Sequence, residues 1–371
     1  MNQDSKVALY IDPPSHHYLG NRLFEVDESR LNGDELQAPY VFLREYLQGK
    51  GVSVNTIDFL PAAENGGKNI YISLGILSNY QKLAKRKDLV LSGYFALECP
   101  IVEPGMYRRL RTAQNYFKRI LSWSDNSELD RFVGESIKFR HFFLPQSFDC
   151  VHEEIWQNSD RKFLVMINAN KLPRVYWNEL YTERMRAVEF FSRTNEIDLY
   201  GKGWDKPSMR LGKTIMPYTF RRLHDQFLEQ WQKIKPDPLL LAARSVYRGT
   251  AASKSQTLGN YKFAVCFENS IMKGCITEKI FDCFYAGTIP IYWGAPEVTD
   301  FVPADCFIDM RDFADYSELR AFLISRTETE IAAYRENARS YLNSDKFVPF
   351  KKETFAGLIQ TLIEQDTGVK L

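Results

Sequence analysis

The sequence predicts an α/β protein with two Rossmann-like halves, each a parallel sheet covered by helices. Three observations lead there. Short apolar runs alternate with helix-length amphipathic stretches along most of the 371 residues, which is the pattern of βαβ units. The chain is too long for one ordinary core and suits two domains. The block YKFAVCFENSIMKGCITEKIFDCFYAGTIPIYWG, residues 261 to 294, reads as strand, helix and strand, the second strand beginning only two residues after the closing glycine.

In the first half, KVALYID (6–12), VSVNTID (52–58), NIYISLG (69–75) and DLVLSGYFALECP (88–100) read as strands, and residues 39–49 as a helix. The stretch YRRLRTAQNYFKRILSWS (107–124) is expected to be helical. A new strand, RKFLVMIN (161–168), follows the charged run HEEIWQNSDRK and sets the expected boundary. The domains are accordingly 1–160, 161–345 and a helical tail, 346–371. In the second half NELYTERMRAVEFFSR (178–193) is an amphipathic helix, and EIDLYGKGW (196–204) a strand with two glycines in its exit turn. FRRLHDQFLEQWQKIK (220–235) reads as helix, and DPLLLAARSVYRG (237–249) as helix or strand. Thr277 is placed to cap a helix closed by Gly287. CFIDM (306–310) is a further strand, with helices in 317–326 and 330–342. The tail FVPFKKETFAGLIQTLIEQ is expected to pack as a helix, a weak touch on a membrane surface being the alternative.

Lys+Arg number 48 and Asp+Glu 47, so no overall field draws the chain to nucleic acid or an anionic surface; an anion must be met by local cations. The opening MNQDSKVALYID reads as a first strand and not a signal peptide, and no apolar run approaches the roughly 20 residues of a membrane span. Six cysteines without CxxC or metal spacing suit buried, reduced thiols, and a cytoplasmic location is expected, peripheral to the inner membrane at most.

Ligands of open α/β sheets lie beyond the carboxyl ends of the strands. Three segments deliver chemistry there: Glu268-Asn269, Thr277-Glu278-Lys279 at a helix start, and Tyr292-Trp293-Gly294. A helix N-terminus with a lysine in its first turn is a seat for phosphate, and Glu278 can accept hydrogen bonds from a sugar diol. The combination points to a nucleotide sugar. The plain alternative is that Glu278 is a first-turn acid favoured by the dipole and Lys279 its solvated neighbour. No GxGxxG turn, GxxxxGK[ST] loop, DxD pair or His/Asp cluster is present, so no metal ligands are assigned. The adjacent His16 and His17 read as loop residues.

The segment YKFAVCFENSIMKGCITEKIFDCFYAGTIPIYWGAPEVTDFVPADCFIDMRDF (261–313) resembles the donor-binding half of glycosyltransferase family 10, the α-1,3/1,4-fucosyltransferases, with weaker echoes in IDLYGKGW and FALECP. The resemblance implies a GT-B fold, two Rossmann-like domains facing across a cleft, with GDP-fucose as donor, a glycan hydroxyl as acceptor, an inverting mechanism and no required cofactor. It places Glu278, Lys279, Asn269, Tyr261 and Arg184 on the donor, with Arg186 as the next arginine and Glu268 and Thr277 in support. Read without the family, Arg184 and Arg186 are exposed positions on an amphipathic helix. Glu98 falls on the catalytic base, although Cys99 stands where the family has serine, and Glu103 is held in reserve. The rival readings are the same fold with another nucleotide sugar, or a non-catalytic nucleotide- or glycan-binding protein. Lack of an anchor or stem suggests a bacterial enzyme making a surface or lipid-linked glycan.

Overall fold

The computed structural model describes residues 7–25, 37–64, 66–75, 79–124, 126–134, 137–206 and 237–371, with 223, 227, 230, 231, 234 and 235. The helix expected over 220–235 therefore lies largely outside the described residues. Two compact units emerge: residues 1–149 with 347–371, and residues 150–346.

The first unit holds a six-stranded sheet: β1 Val7–Asp12, β2 Ser53–Thr56, β3 Lys68–Ser73, β4 Leu89–Ala96, β5 Arg119–Ser122 and β6 Phe139–His141. Its order is β2-β1-β3-β4-β5-β6, and every pairing is parallel. β1 is buried at all six positions, as a strand covered on both faces must be. The single helix expected over 107–124 is instead a helix, Pro104–Ala113, followed by β5. Arg119-Ile120-Leu121-Ser122 pairs with β4 and β6, and burial of Ile120 and Leu121 in the sheet outweighs any helical preference of the run.

The tail belongs to this unit rather than standing apart. The helix Lys352–Thr367 presents Phe355, Ala356, Ile359, Leu362 and Ile363 to the core built by β1, β3 and the helix Ala38–Gln48. These positions recur at helical spacing, so one apolar face is already covered. Asp366 pairs with Arg119 at 2.9 Å and Lys118 at 3.1 Å, and Lys68 donates to the Thr367 carbonyl at 2.7 Å. A Cβ at Gly93 would crowd Leu121 of β5 at 3.0 Å, while Leu362 of the helix would be in ordinary contact at 3.9 Å.

The second unit is a five-stranded parallel sheet of β7 Lys162–Ile167, β8 Ile197–Tyr200, β9 Tyr261–Phe267, β10 Ile289–Trp293 and the short β11 Ile308–Asp309. Its order is β11-β10-β9-β7-β8. The chain runs outward from β7 to β8, then crosses back to lay β9 on β7's other side, so the strand order reverses between β7 and β9. Residues 237–249 resolve into a helix, Pro238–Ser245, capped by the Asp237 carboxylate. The helix Glu278–Ala286 ends at Gly287, whose φ of 67° is left-handed; a Cβ there would also meet the Trp156 ring at 2.9 Å. Both requirements specify glycine.

All six cysteines are free thiols, five of them buried. Among the described residues no helix is long and apolar enough to cross a membrane.

Candidate functional site

The strand order reverses between β7 and β9, and ligands of such sheets bind beyond the carboxyl ends of the strands at a reversal of this kind. Backbone bonds lace the two exit loops together: Leu180 N–H donates to the Asn269 carbonyl at 3.1 Å and Ile271 N–H to that of Asn178 at 2.7 Å. The turn after β8 presses on the same edge. Gly201 has φ 141°, and a Cβ on it would fall 2.0 Å from the Asn168 carbonyl oxygen.

Glu268, the first residue past β9, is fully buried. Its carboxylate accepts from the Thr277 N–H and hydroxyl, each at 2.9 Å, and from the Lys279 ammonium at 2.8 Å. A buried carboxylate without such partners would cost several kcal/mol. Gly294 is the floor of this arrangement: a Cβ there would stand 2.5 Å from Glu268 Cγ and from the Tyr292 hydroxyl. That hydroxyl donates to the Cys275 carbonyl and accepts from Ala295 N–H. One carboxylate thus ties together the ends of β9 and β10 and the start of the helix. Thr277 occupies the N-cap, but its side chain turns to Glu268 and makes no cap bond to the first-turn N–H groups. In place of a helix N–H, the hydroxyl oxygen accepts from the Lys279 ammonium at 2.9 Å.

Arg184 is buried, on the helix Tyr181–Ser192, and not exposed as its helical pattern suggested. Its Nη2 donates to the Phe267 carbonyl at 2.6 Å and to Asn269 Oδ1 at 3.1 Å, with Nε on the same carbonyl at 3.2 Å. The guanidinium also lies over the Tyr181 ring at 4.7 Å. Burial pulls its pKa down, with Tyr181 and Glu268 acting in the opposite sense. Arg184 therefore clamps the exit of β9 and orients Asn269. Arg186, two positions on, faces outward with its side chain ion-paired to Glu183.

Lys279 and Glu278 sit at the rim, and a second lysine joins them. Lys254 is bonded to Asp282 and lies 4.0 Å from Glu278 Oε1, while Lys279 is 3.9 Å from the same oxygen. Burial works against the Glu278 charge, but Lys279 and Lys254 more than offset it and take its pKa down to about 2. Burial likewise opposes the Lys279 charge, and Glu268 and Glu278 outweigh it and raise its pKa. Three cations, Arg184, Lys254 and Lys279, thus stand among three carboxylates, Glu268, Glu278 and Asp282. Lys279, read plainly as a solvated neighbour, is paired with a buried acid.

Tyr261 is not brought to this group. It begins β9, and seven residues of extended chain place it about 23 Å from Glu268. Its hydroxyl donates to Asp198 at 2.6 Å. In the first unit, Glu98 follows β4 at the carboxyl edge of the sheet and is exposed. Its carbonyl accepts from the Tyr107 hydroxyl at 2.7 Å, and the preceding Leu97 carbonyl from Trp123 Nε1 at 2.9 Å, so two aromatic side chains fix the loop. Cys99, in the place of the family's serine, is buried. Glu103 precedes the helix Pro104–Ala113 and is half-buried. His16 and His17 lie in a single 3-10 turn after β1. Among the described residues no group of three His, Cys, Asp or Glu could hold a metal ion.

Lys254 escaped the sequence reading. Its one visible signal is Ser253 before it, a cap for the short helix Lys254–Leu258.

Two parallel-sheet Rossmann-like domains in one chain are the components of GT-B glycosyltransferases. An α-glucosyltransferase solved with UDP-glucose and abasic DNA matches at a TM-score of 0.51 and 11% identity, over 97% of this chain and 99% of its own, a likeness of fold. Residues 241–357 match the C-terminal domain model of glycosyltransferase family 10 (fucosyltransferase). An α-(1,3)-fucosyltransferase of Helicobacter pylori is 32% identical over 154 residues, 39% of this chain and 31% of its own length. The human α-(1,3)-fucosyltransferase 7 is 39% identical over 95 residues, 24% of this chain and 28% of its own. The chain matches under a third of the length of either relative.

Proposed function

We propose that the chain is an inverting glycosyltransferase that moves fucose from GDP-fucose to a glycan hydroxyl. The observation that carries this reading is the Glu268–Thr277–Lys279 arrangement, inside the segment that matches the fucosyltransferase domain, with Arg184 from outside that segment clasping the end of β9. The nucleotide would lie beyond the carboxyl ends of β7 and β9. Its diphosphate would meet Lys279 and the first turn of the helix Glu278–Ala286, whose N–H groups Thr277 leaves uncapped. Glu278 would accept hydrogen bonds from the ribose.

The charge balance assigns Glu268 a definite part. Ion-pairing to a buried acid fixes the Lys279 ammonium before any ligand arrives, so little side-chain entropy remains to be lost on binding. A diphosphate then competes for an ammonium already in place. Arg184 acts at one remove, by holding Phe267 and Asn269 where the donor needs them.

Glu98 is proposed as the base. Its carboxylate would take the proton from the acceptor hydroxyl as the oxygen bonds to the anomeric carbon, while the carbon–phosphate oxygen bond breaks and GDP departs with the electron pair. Attack opposite the departing phosphate inverts the anomeric centre. Protein groups alone would carry the leaving-group charge, without a required metal. The acceptor is proposed to be a galactose/N-acetylglucosamine-type glycan or a surface polysaccharide precursor joined by an α-1,3 linkage, and the site of action cytoplasmic.

A thermal-shift panel of nucleotides and nucleotide sugars tests the donor assignment. Ligand at a hundredfold excess over Kd stabilises the folded protein by about 2.7 kcal/mol, so GDP and GDP-fucose should raise Tm and UDP sugars should not. A shift confined to UDP sugars overturns the fucose reading. GDP-fucose binding without transfer to any glycan would make the chain a binding protein.

A further inference from the structure

Asp282 lies four residues after Glu278, one helical turn on, so the two carboxylates share a face of the helix Glu278–Ala286. Like charges at that spacing repel. Lys254 answers both: its ammonium is bonded to Asp282 and stands 4.0 Å from Glu278 Oε1. Lys279 approaches the same oxygen at 3.9 Å. Oε1 is therefore flanked by two ammonium groups, while the Glu278 side chain keeps 41% of its exposure and remains presented to a ligand. Lys254 itself retains 24%, and the Ser253 cap at the start of its helix fixes the backbone that carries it.

A carboxylate that reads a ribose diol must be ionised, because a protonated one loses acceptor capacity, and must hold one orientation to engage two adjacent hydroxyls. Lys279 alone cannot supply that second condition, since its shortest bond is to Glu268. Lys254, anchored on Asp282, approaches Glu278 from a separate helix.

We propose that Lys254 is a positioning residue for the nucleotide: by bridging Asp282 and Glu278 Oε1 it holds the Glu278 carboxylate in the orientation that accepts hydrogen bonds from the ribose hydroxyls. This rests on the donor reading above and extends it to a residue that does not touch the ligand.

The experiment is calorimetric titration of the full chain with GDP and with 2′-deoxy-GDP, on wild type, Lys254→Met, Lys254→Arg and Glu278→Gln, with Tm measured for each. Wild type should prefer GDP by about tenfold, the scale of a lost charge-assisted hydrogen bond. Lys254→Met and Glu278→Gln should weaken GDP binding until that preference disappears, with a smaller loss for 2′-deoxy-GDP, which keeps only the 3′-hydroxyl, and Lys254→Arg should restore the preference. A purely structural role would weaken both nucleotides equally as Tm falls. A full GDP preference in Lys254→Met, or an equal loss for both nucleotides, overturns the proposal while the donor reading stands. Wild type that binds neither nucleotide overturns both.

Discussion

Removing the Lys279 ammonium should be costly, and the structure says by how much. In Lys279→Met the Glu268 carboxylate, fully buried, keeps the Thr277 N–H and hydroxyl but loses its only cation within bonding distance among the described residues. Breaking one partner of a buried ion pair costs about 3–5 kcal/mol. Two retained hydrogen bonds and the 24% exposure of the lysine place the expected loss near the lower end, about 3 kcal/mol. Urea unfolding followed by tryptophan fluorescence measures it. In Glu268→Gln/Lys279→Met neither charge remains, so the double variant should lose less than the two single losses added, with a coupling of about 2 kcal/mol. GDP affinity should fall with both variants that lack Lys279. A loss under about 0.5 kcal/mol for Lys279→Met, the range of an exposed pair, would refute the account of Glu268 as a buried anchor.

Glu98→Gln should lower kcat by about 10²-fold or more with GDP affinity intact, measured by product formation and titration side by side; normal turnover would remove it from the mechanism. Gly294→Ala should cost at least 1–3 kcal/mol, roughly the range for overpacking, and abolish GDP binding, because the new methyl would overlap Glu268 Cγ and the Tyr292 hydroxyl. Tyr261→Phe should leave GDP affinity unchanged and cost about 1 kcal/mol through the lost bond to Asp198. The pH dependence of that variant is also defined. Burial raises the Asp198 pKa, but Tyr261, Arg248 and Lys162 together bring it below the ordinary value. Its contribution is present above the unfolded pKa and is lost as pH falls through the folded one. Acid unfolding below about pH 4 should therefore show a shallower loss in Tyr261→Phe than in wild type.

The β9–helix–β10 unit was readable because its signals are local. An apolar run, a glycine that must be left-handed and a short return to the next strand all fall within 34 residues. The weight of Glu268 was only half readable, since its burial depends on Gly294, which lies distant in sequence and adjacent in space. Read without the family, Arg184 was an exposed position on an amphipathic helix; its burial was not legible because nothing local shows that the Phe267 carbonyl awaits it. Tyr261 was placed on the donor by the resemblance alone, and the extended strand sets it at the opposite end of β9 from Glu268. Lys254 was invisible because its partner Asp282 is 28 residues away. The strand Arg119–Ser122 was absorbed into a helix because the basic, aromatic run before it masks the turn at residues 114–118.

A structure of the chain with bound GDP, prepared in EDTA, tests the central claim most directly. The account predicts the diphosphate at the first turn of the helix Glu278–Ala286, within bonding distance of the Lys279 ammonium, with Arg184 still clasping Phe267. Nucleotide seated away from the β7/β9 exit loops, or bound only when a divalent metal is restored, would contradict it.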